Sequence, residues 1–223
     1  MSDELDATPA GAAGRDVAAQ HLREEIASGQ LPPGFRLLPA ELNERYGVTR
    51  HSVRLALGVL ELEGLVERIP NRGARVRRVS AAEAIEIMEC ERVLDGLLSA
   101  KAAERGTEQQ VADIVDNLRR MEEAVGAGEL PLYSELIQVH HGLVRAASAH
   151  ATAADLVQRL MGQIVRHQFQ LSLRMRRAEE SLVELRRTVR AIESRNADEA
   201  EIAARDHLAG VIRALRDESA PTA

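Results

Sequence analysis

Two arginines, Arg50 and Arg54, stand four residues apart in the N-terminal part of the chain, just after a glycine and a threonine. The planar guanidinium of arginine donates two hydrogen bonds side by side, which suits the guanine edge and phosphate oxygens. Side chains four residues apart on a helix project from one face. This spacing therefore predicts a short helix whose exposed face reads duplex DNA.

The neighbouring residues predict the elements that position these arginines. Gly47 supplies a turn, and Thr49 is a residue type that caps the start of a helix. Val53, Leu57 and Leu60 recur at the spacing of a buried helical stripe. We therefore predict two short helices joined by a turn, with the arginines on the exposed face of the second.

A basic hairpin, or wing, is predicted directly downstream. A helix ends at Gly64, an apolar strand extends to residue 69, and a second strand over residues 74–79 carries three arginines. Arg72 lies at the tip, where it could enter a minor groove. The alternative is a surface helix pair with arginines that are only solvated. The order of the two signatures favours DNA binding.

Residues 17–79 resemble the winged helix-turn-helix of the GntR superfamily of bacterial transcription regulators. The resemblance is carried by residues 17–37, Gly47-Val48-Thr49-Arg50, Val53-Arg54, Glu63-Gly64-Leu65-Val66 and Asn71-Arg72-Gly73-Ala74-Arg75-Val76. The resemblance implies that the DNA contacts come from Thr49, Arg50, Ser52 and Arg54 on the second helix, and from Arg72 and Gly73 on the wing. Members commonly have an arginine where this chain has Ala40. One operator contact is therefore absent or relocated, with His51 as the candidate.

Composition predicts two parts of opposite charge. Residues 15–80 contain 11 arginines and 8 acidic residues, whereas residues 81–223 contain 18 basic and 24 acidic residues. The positive charge therefore lies where the DNA-reading element is. We predict a flexible tail at residues 1–14, a winged helix-turn-helix at 15–80, a helical domain at 81–217 and a second flexible tail at 218–223.

The sequence also argues against several classes of protein. The single cysteine, Cys90, and the lack of a long apolar run predict a soluble cytoplasmic protein with no membrane partner. We expect Cys90 to be buried, because it lies in a segment with apolar helical periodicity. Without a glycine-rich phosphate loop, a His-Glu-x-x-His pair or a nucleophile elbow, we do not expect an enzyme.

Beyond residue 81 the chain shows helical periodicity and almost no strand signal. Breaks near residues 106–107, 126–131, 149–151, 177–181 and 196–198 predict about six helices. The predicted fold class is therefore mainly α, with a winged helix-turn-helix and its small β-hairpin followed by an all-α bundle.

Most of residues 83–216 resemble the FCD domain, a ligand-binding helical bundle of one GntR subfamily. The resemblance is carried by Leu94-Asp95, Ala102-Ala103-Glu104, His141, Ala147-Ser148, Ser181-Leu182-Val183-Glu184, Ala191-Ile192, Ala200 and His207-Leu208. Many FCD domains hold a divalent metal with one aspartate and three histidines. A nearby arginine then helps the metal to bind a carboxylate effector.

This chain retains only part of that ligand set. His141 and His207 match two family histidines, but Ile137 replaces the aspartate and Leu185 replaces the remaining histidine. Aliphatic side chains coordinate no metal, so we do not expect a divalent metal to be bound. The substitute ligands to consider are His140, His150 and His167. For His140 and His150 we expect ordinary hydrogen-bonded positions instead.

Glu91 falls where the family often has its carboxylate-binding arginine, unless Arg92 takes that place through a one-residue shift. A glutamate there would reverse the charge of the pocket. The predicted effector pocket consists of Glu91, Arg92, Ile137, His141, Leu185 and His207.

Together these features predict a ligand-responsive transcription regulator, a repressor that binds a palindromic operator as a homodimer and holds a small-molecule effector in its C-terminal bundle. Dimerisation is expected because one recognition helix covers only a half-site. The alternative is a constitutive or architectural DNA-binding factor whose C-terminal domain only dimerises. Ile137 and Leu185 are the residues that support this alternative.

Overall fold

The computed structural model describes residues 11–69 and 73–219. The chain divides into two units, with the boundary between Val79 and Ser80. The elements of the first unit are α1 (Gly11–Ala27), β1 (Arg36–Leu37), α2 (Pro39–Tyr46), α3 (Arg50–Leu62), β2 (Val66–Ile69) and β3 (Gly73–Val76). This order is that of a winged helix-turn-helix.

Leucines and valines of all these helices and strands build the core of the first unit. Leu22 of α1 and Leu37 of β1 are fully buried, as are Val53 and Leu60 of α3. The predicted apolar stripe of α3 therefore does face the core. Between α2 and α3, Gly47 has a φ of 61°, in the left-handed region where a side chain is strained. This glycine allows the chain to turn from α2 toward α3.

The wing is part of a three-stranded antiparallel sheet in the order β1, β3, β2. Val66 is paired with Val76 and Ile69 with Gly73 across the hairpin. Strand β1, which the sequence analysis did not predict, adds a pairing of Arg36 with Arg75. Two residues are too few to show an alternating pattern, so a strand of this length leaves no signal in the sequence.

Both predicted tails differ from the structure where it describes them. Helix α1 begins at Gly11, and Gly14 is already buried, so residues 11–14 form the first turn of a helix. At the other end the last helix extends to Ser219. Residues 1–10 and 220–223 lie outside the described residues.

The second unit is a bundle of helices, and in the part of it that the structure describes there are six. They are α4 (Ala81–Arg105), α5 (Glu108–Gly126), α6 (Leu130–Ser148), α7 (Ala151–Ser172), α8 (Met175–Glu193) and α9 (Ala197–Ser219). Helix α4 lies at the centre, in contact with α6, α7, α8 and α9. The residues that α4 turns inward therefore face several helices at once.

Side-chain caps fix the start of several of these helices. The hydroxyl of Ser80 accepts a hydrogen bond from the Glu83 amide of α4, at 3.2 Å. Thr107 and Gln110 form a reciprocal capping box at the start of α5. The predicted break at residues 177–181 was wrong, because α7 ends at Ser172 and α8 begins at Met175. No glycine, proline or side-chain cap marks this break, since Arg174 makes no capping bond.

Cys90 is exposed, not buried as predicted. The next residue of α4, Glu91, is fully buried instead. The apolar periodicity therefore predicted the wrong buried residue at this point of the helix. In the described part of the chain no helix is long and apolar enough to span a membrane.

Two leucines near the end of α3 provide a matched test of the first core. Leu60 is fully buried, whereas Leu62 is 90% exposed. We expect Leu60→Ala to lower the free energy of unfolding of this unit by about 2 to 5 kcal/mol, through lost burial and a residual cavity. Leu62→Ala should change it by less than about 0.5 kcal/mol. Hydrogen exchange of residues 11–69 in increasing urea measures both, and equal losses would contradict the assignment of the core.

Candidate DNA-reading helix and effector cavities

The first turn of α3 is held by two hydroxyl side chains. Thr49 caps the helix by accepting a hydrogen bond from the Ser52 amide at 3.1 Å, and the two hydroxyl oxygens lie 2.9 Å apart. Ser52 is fully buried. The resemblance implies a DNA contact from Ser52, whereas the hydroxyl of this residue in the structure contacts that of Thr49 at the helix cap.

Arg50, His51 and Arg54 are exposed on the first turns of α3. Arg54 Nε lies 3.5 Å from the Arg50 carbonyl oxygen, at the limit of a hydrogen bond. Neither guanidinium forms an ion pair with any residue that the structure describes. Both side chains therefore present their full charge at the surface.

Other arginines of the same unit are neutralised by carboxylates. The ion pairs are Arg23 with Glu63, Arg45 with Glu25, Arg68 with Glu61 and Arg75 with Glu67, at 2.6–2.8 Å. Arg75 of the wing thus carries less free charge than its sequence position suggested. Arg72, the predicted tip contact, lies outside the described residues. Gly73 begins β3 with a φ of 88°, which a residue with a side chain would adopt only under strain.

Two adjoining cavities lie within the bundle. The first, called the Glu91 cavity, encloses about 500 Å³ including its opening to solvent. It is lined by Glu91, Tyr133, Ile137, Gln138, His141, Gln168, Leu171, Ser172, Arg177, Ala178, Ser181, His207, Leu208 and Val211. The second, called the Asp95 cavity, encloses about 360 Å³ and is lined by Asp95, Ser99, His140, His141, Val144, Arg145, Leu185, Thr188, Ala204, His207 and Leu208. His141, His207 and Leu208 border both.

Three histidines cluster where the cavities adjoin. The ring centroids of His140 and His141 are 6.0 Å apart, and those of His141 and His207 are 6.4 Å apart. Burial lowers the pKa of His140 to about 4 and also holds the pKa values of His141 and His207 below the ordinary range. These imidazoles are therefore neutral at pH 7, and each can donate one hydrogen bond and accept another.

Glu91 and Asp95 place two buried carboxyl groups one turn apart on α4. Burial and the neighbouring Asp95 raise the pKa of Glu91 well above its usual value. Burial raises the pKa of Asp95 to about 7, although Arg145 opposes that shift. The Nε2 atom of Gln168 lies 3.4 and 3.5 Å from the two Glu91 oxygens, so this hydrogen bond is weak.

Glu184 of α8 joins two helices through its carboxylate. It accepts a hydrogen bond from His207 Nδ1 of α9 at 2.8 Å and pairs with the guanidinium of Arg177. Burial raises its pKa, but the hydrogen bonds from His207 and Arg177 outweigh burial and keep the pKa below the usual value. Because His207 is neutral and donates from Nδ1, its Nε2 is left as an acceptor. A Cβ on Gly210 would overlap Glu184 Oε1, so a larger residue at this position requires the carboxylate to shift.

The structure places most of the predicted pocket residues around these cavities. Glu91 and Ile137 line the first cavity, Leu185 lines the second, and His141 and His207 line both. Arg92 does not belong to the site, because it is exposed and donates to the Arg205 carbonyl at 3.0 Å. The one-residue shift that would have put Arg92 in the pocket is thus excluded.

His140 and His150 were both expected to be ordinary hydrogen-bonded residues. His150 is one, since its Nδ1 caps α7 by accepting from the Ala153 amide at 3.3 Å. His140 is not, because it lines the Asp95 cavity and its buried Nδ1 has no hydrogen-bond partner within the described protein. The expectation for His140 was therefore wrong.

Three charged residues that line the cavities, Asp95, Arg145 and Arg177, were given no role in the sequence analysis. The same holds for Glu184, which contacts Arg177 and His207. A signal was present, since Asp95 follows Glu91 by four residues and Arg145 follows His141 by four. Such spacing puts each pair on one helical face. Arg177 had no comparable signal, because its neighbours Arg174 and Arg176 are exposed while it is buried.

The donor set does not fit a divalent metal. Among the described residues, no three metal-ligating side chains lie close enough to share an ion. A closed site needs about four ligands, and Ile137 and Leu185 offer no donor atom. We therefore assign no metal chemistry to these residues.

Comparisons with known proteins agree with this architecture. The model of the FCD domain matches residues 86–210, and the model described as bacterial regulatory proteins, gntR family, matches residues 15–76. The fold and the exposed arginines of α3 define a DNA-binding transcription regulator. The chain belongs to the GntR family, in the group whose C-terminal half is an FCD domain.

Relatives extend over nearly the whole chain. The HTH-type transcriptional repressor RspR of Escherichia coli (strain K12) is 25% identical over 201 residues, covering 89% of this chain and 88% of the relative. An uncharacterised HTH-type regulator of Agrobacterium vitis is 29% identical over 151 residues, covering 66% of this chain and 88% of the relative. The solved structure of E. coli McbR/YncC has a TM-score of 0.78 at 17% identity, covering 94% of this chain and 100% of that one. That likeness supports the fold.

Replacing Glu184 should destabilise the bundle. The Arg177 side chain is 7% exposed, so Glu184→Gln leaves a buried guanidinium without its main partner. We expect a loss of about 3 kcal/mol, the lower end for such pairs, because Glu180 still contacts Arg177. Glu180→Gln is the control, with an expected cost below about 1 kcal/mol since Glu180 is 46% exposed. Urea titration followed by hydrogen exchange of α8 and α9 peptides tests this, and similar losses would contradict it.

His140 should make the bundle less stable as the pH falls. Its folded pKa of about 4 lies below the ordinary value of 6.5, so between these values the unfolded chain binds a proton that the folded chain does not. Stability is therefore lost as the pH drops from 6.5 to 4, by about 1.4 kcal/mol per unit of pKa difference. His140→Gln should flatten this part of the stability curve, whereas parallel curves for the two proteins would disprove the assignment. The contribution of Asp95, which has the opposite sign, is common to both proteins.

Proposed function

We propose that this protein is a ligand-responsive repressor that acts in the cytoplasm and binds a palindromic operator as a homodimer. The observation that carries the DNA-reading part is the pair Arg50 and Arg54, which are exposed on α3 and have no carboxylate partner within residues 11–69 and 73–219. No ion pair with these residues has to break before either guanidinium contacts a base or a phosphate. His51 offers a further donor on the same turn. The repressor role is supported by the name of the E. coli relative RspR.

Effector binding by the bundle is supported by its buried polar atoms. In the Asp95 cavity, His140 Nδ1 and Thr188 Oγ1 are buried and have no partner in the described protein. In the Glu91 cavity the same holds for Tyr133 Oη, Gln168 Oε1 and Arg177 Nε. Leaving such atoms unbonded costs about 1 to 3 kcal/mol each, which a bound molecule would recover. A domain that only dimerises has no need of these atoms. We therefore favour an effector-responsive regulator over a constitutive factor.

The proposed mechanism is a shift between two bundle geometries. An effector that binds one geometry more tightly moves the population toward it, and the two recognition helices of a dimer then no longer match successive major grooves. A homodimer is proposed because a two-fold axis lets two copies of α3 read two half-sites.

The test is selection of random DNA by the purified full-length protein, followed by sequencing and affinity measurement. We expect an enriched palindrome, and Arg50→Ala should weaken binding to it by about 1 to 3 kcal/mol while affecting random DNA less. Arg119→Ala on α5, also an exposed arginine, is the matched control and should leave affinity unchanged. No enriched sequence, or equal loss on operator and random DNA, would disprove base reading by Arg50.

A further inference from the structure

Glu91 stands out among the buried groups because none of the cationic side chains that the structure describes contacts it. It is fully buried on α4, and its only hydrogen-bond partner in the described protein is the distant amide of Gln168. The other charged residue that borders this cavity is Arg177, and its guanidinium is matched by Glu184 and Glu180. A buried carboxylate without a counter-ion is costly, so the empty site favours its protonated form.

Arg145 is not a counter-ion of Glu91 alone. It attracts both Glu91 and Asp95, so one guanidinium is shared by two buried carboxyl groups. It forms no ion pair with either one within 4.0 Å; its guanidinium instead contacts Met161 Sδ at 3.4 Å. Among the described side chains, the Glu91 and Asp95 region therefore holds one more potential negative charge than it has cations.

Three buried polar atoms of the Glu91 cavity lack a partner in the described protein: Tyr133 Oη and Arg177 Nε, which can donate, and Gln168 Oε1, which can only accept. Two acceptors are open to a donor from a ligand. Gln168 Oε1 is buried without a partner, next to the Glu91 carboxyl group. His207 uses Nδ1 as its donor to Glu184, so Nε2 is left to accept. A ligand rich in N–H donors would satisfy these two acceptors together, whereas a carboxylate would add a further negative charge beside Glu91.

Part of the wall is apolar, although Tyr133, Gln138, Ser172 and Ser181 also line the cavity. Ile137, Leu171, Ala178, Leu208 and Val211 line the same cavity. Ile137 also replaces a residue that would have been an acidic metal ligand, so the wall beside His141 is hydrocarbon. A ligand of this cavity therefore needs both a positively charged end and an apolar body.

We propose that the effector is a small organic amine, protonated at neutral pH, whose ammonium group pairs with Glu91 and donates to Gln168 Oε1 while its apolar part packs on Ile137 and Leu208. This inference rests on the proposed effector role of the bundle and names the ligand class. The ammonium takes the place of the carboxyl proton and supplies three N–H donors.

The experiment compares probes of equal shape and different charge on the full-length protein at pH 7. The probes are benzylamine, benzoate and benzyl alcohol, together with pentylamine and pentanoate, each followed by thermal shift and calorimetry. We expect the amines to raise the melting temperature and the carboxylates and the alcohol not to do so. Glu91→Gln should weaken amine affinity by about 10- to 100-fold, as expected for loss of a charge-assisted hydrogen bond.

Two further variants keep the test decisive. Glu104→Gln on the same helix, an exposed residue paired with Lys101, should leave the amine response unchanged. Gln168→Leu keeps Glu91 and should weaken amine binding by about 2- to 10-fold. Glu91→Gln itself should fold, because it removes a desolvated charge and keeps the side-chain shape; the helical circular dichroism verifies this.

The amine class is overturned if only the carboxylates raise the melting temperature, if no amine does, or if Glu91→Gln binds amines as well as the parent protein. Operator binding is measured on the same samples. Intact operator binding without an amine response refutes the ligand class alone, whereas loss of specific DNA binding refutes the regulator function alone.

Discussion

Glu184 holds a guanidinium and an imidazole at the same time inside the bundle, and the geometry of the cavities depends on it. Arg177 comes from the first turn of α8, and His207 comes from α9. Without this carboxylate the charge of Arg177 would be buried alone, and His207 would be free to change both its tautomer and its orientation. Since His207 borders both cavities, the pair of α8 and α9 determines which hydrogen bonds a ligand can make there.

The first unit could be predicted closely from the sequence, because short local signals specify it. Gly47, Thr49 and the stripe of Val53, Leu57 and Leu60 each have one structural explanation, and each has that role in the structure. The local role of Ser52 was missed, since a hydroxyl three residues from Thr49 can also contact the cap, as it does in the structure.

The bundle was harder to predict, since its site is assembled from five helices far apart in sequence. Helical periodicity predicted the number of helices but misplaced one break. It also predicted that Cys90 would be buried, whereas the buried residue is Glu91. The resemblance to the FCD domain identified His141 and His207, because a family motif can be matched to the sequence one position at a time. It could not identify Arg177 or His140, whose roles depend on burial and on contacts that no local pattern encodes.

Gly210 affects the cavities of the bundle although it lines neither of them. The absence of a Cβ there lets Glu184 lie against α9, and any larger residue would displace the carboxylate. Such a change would move the carboxylate that Arg177 and His207 share, while the residues that line the cavities would stay the same. Natural variation at this one position could thus retune ligand preference between related regulators whose pocket residues are identical.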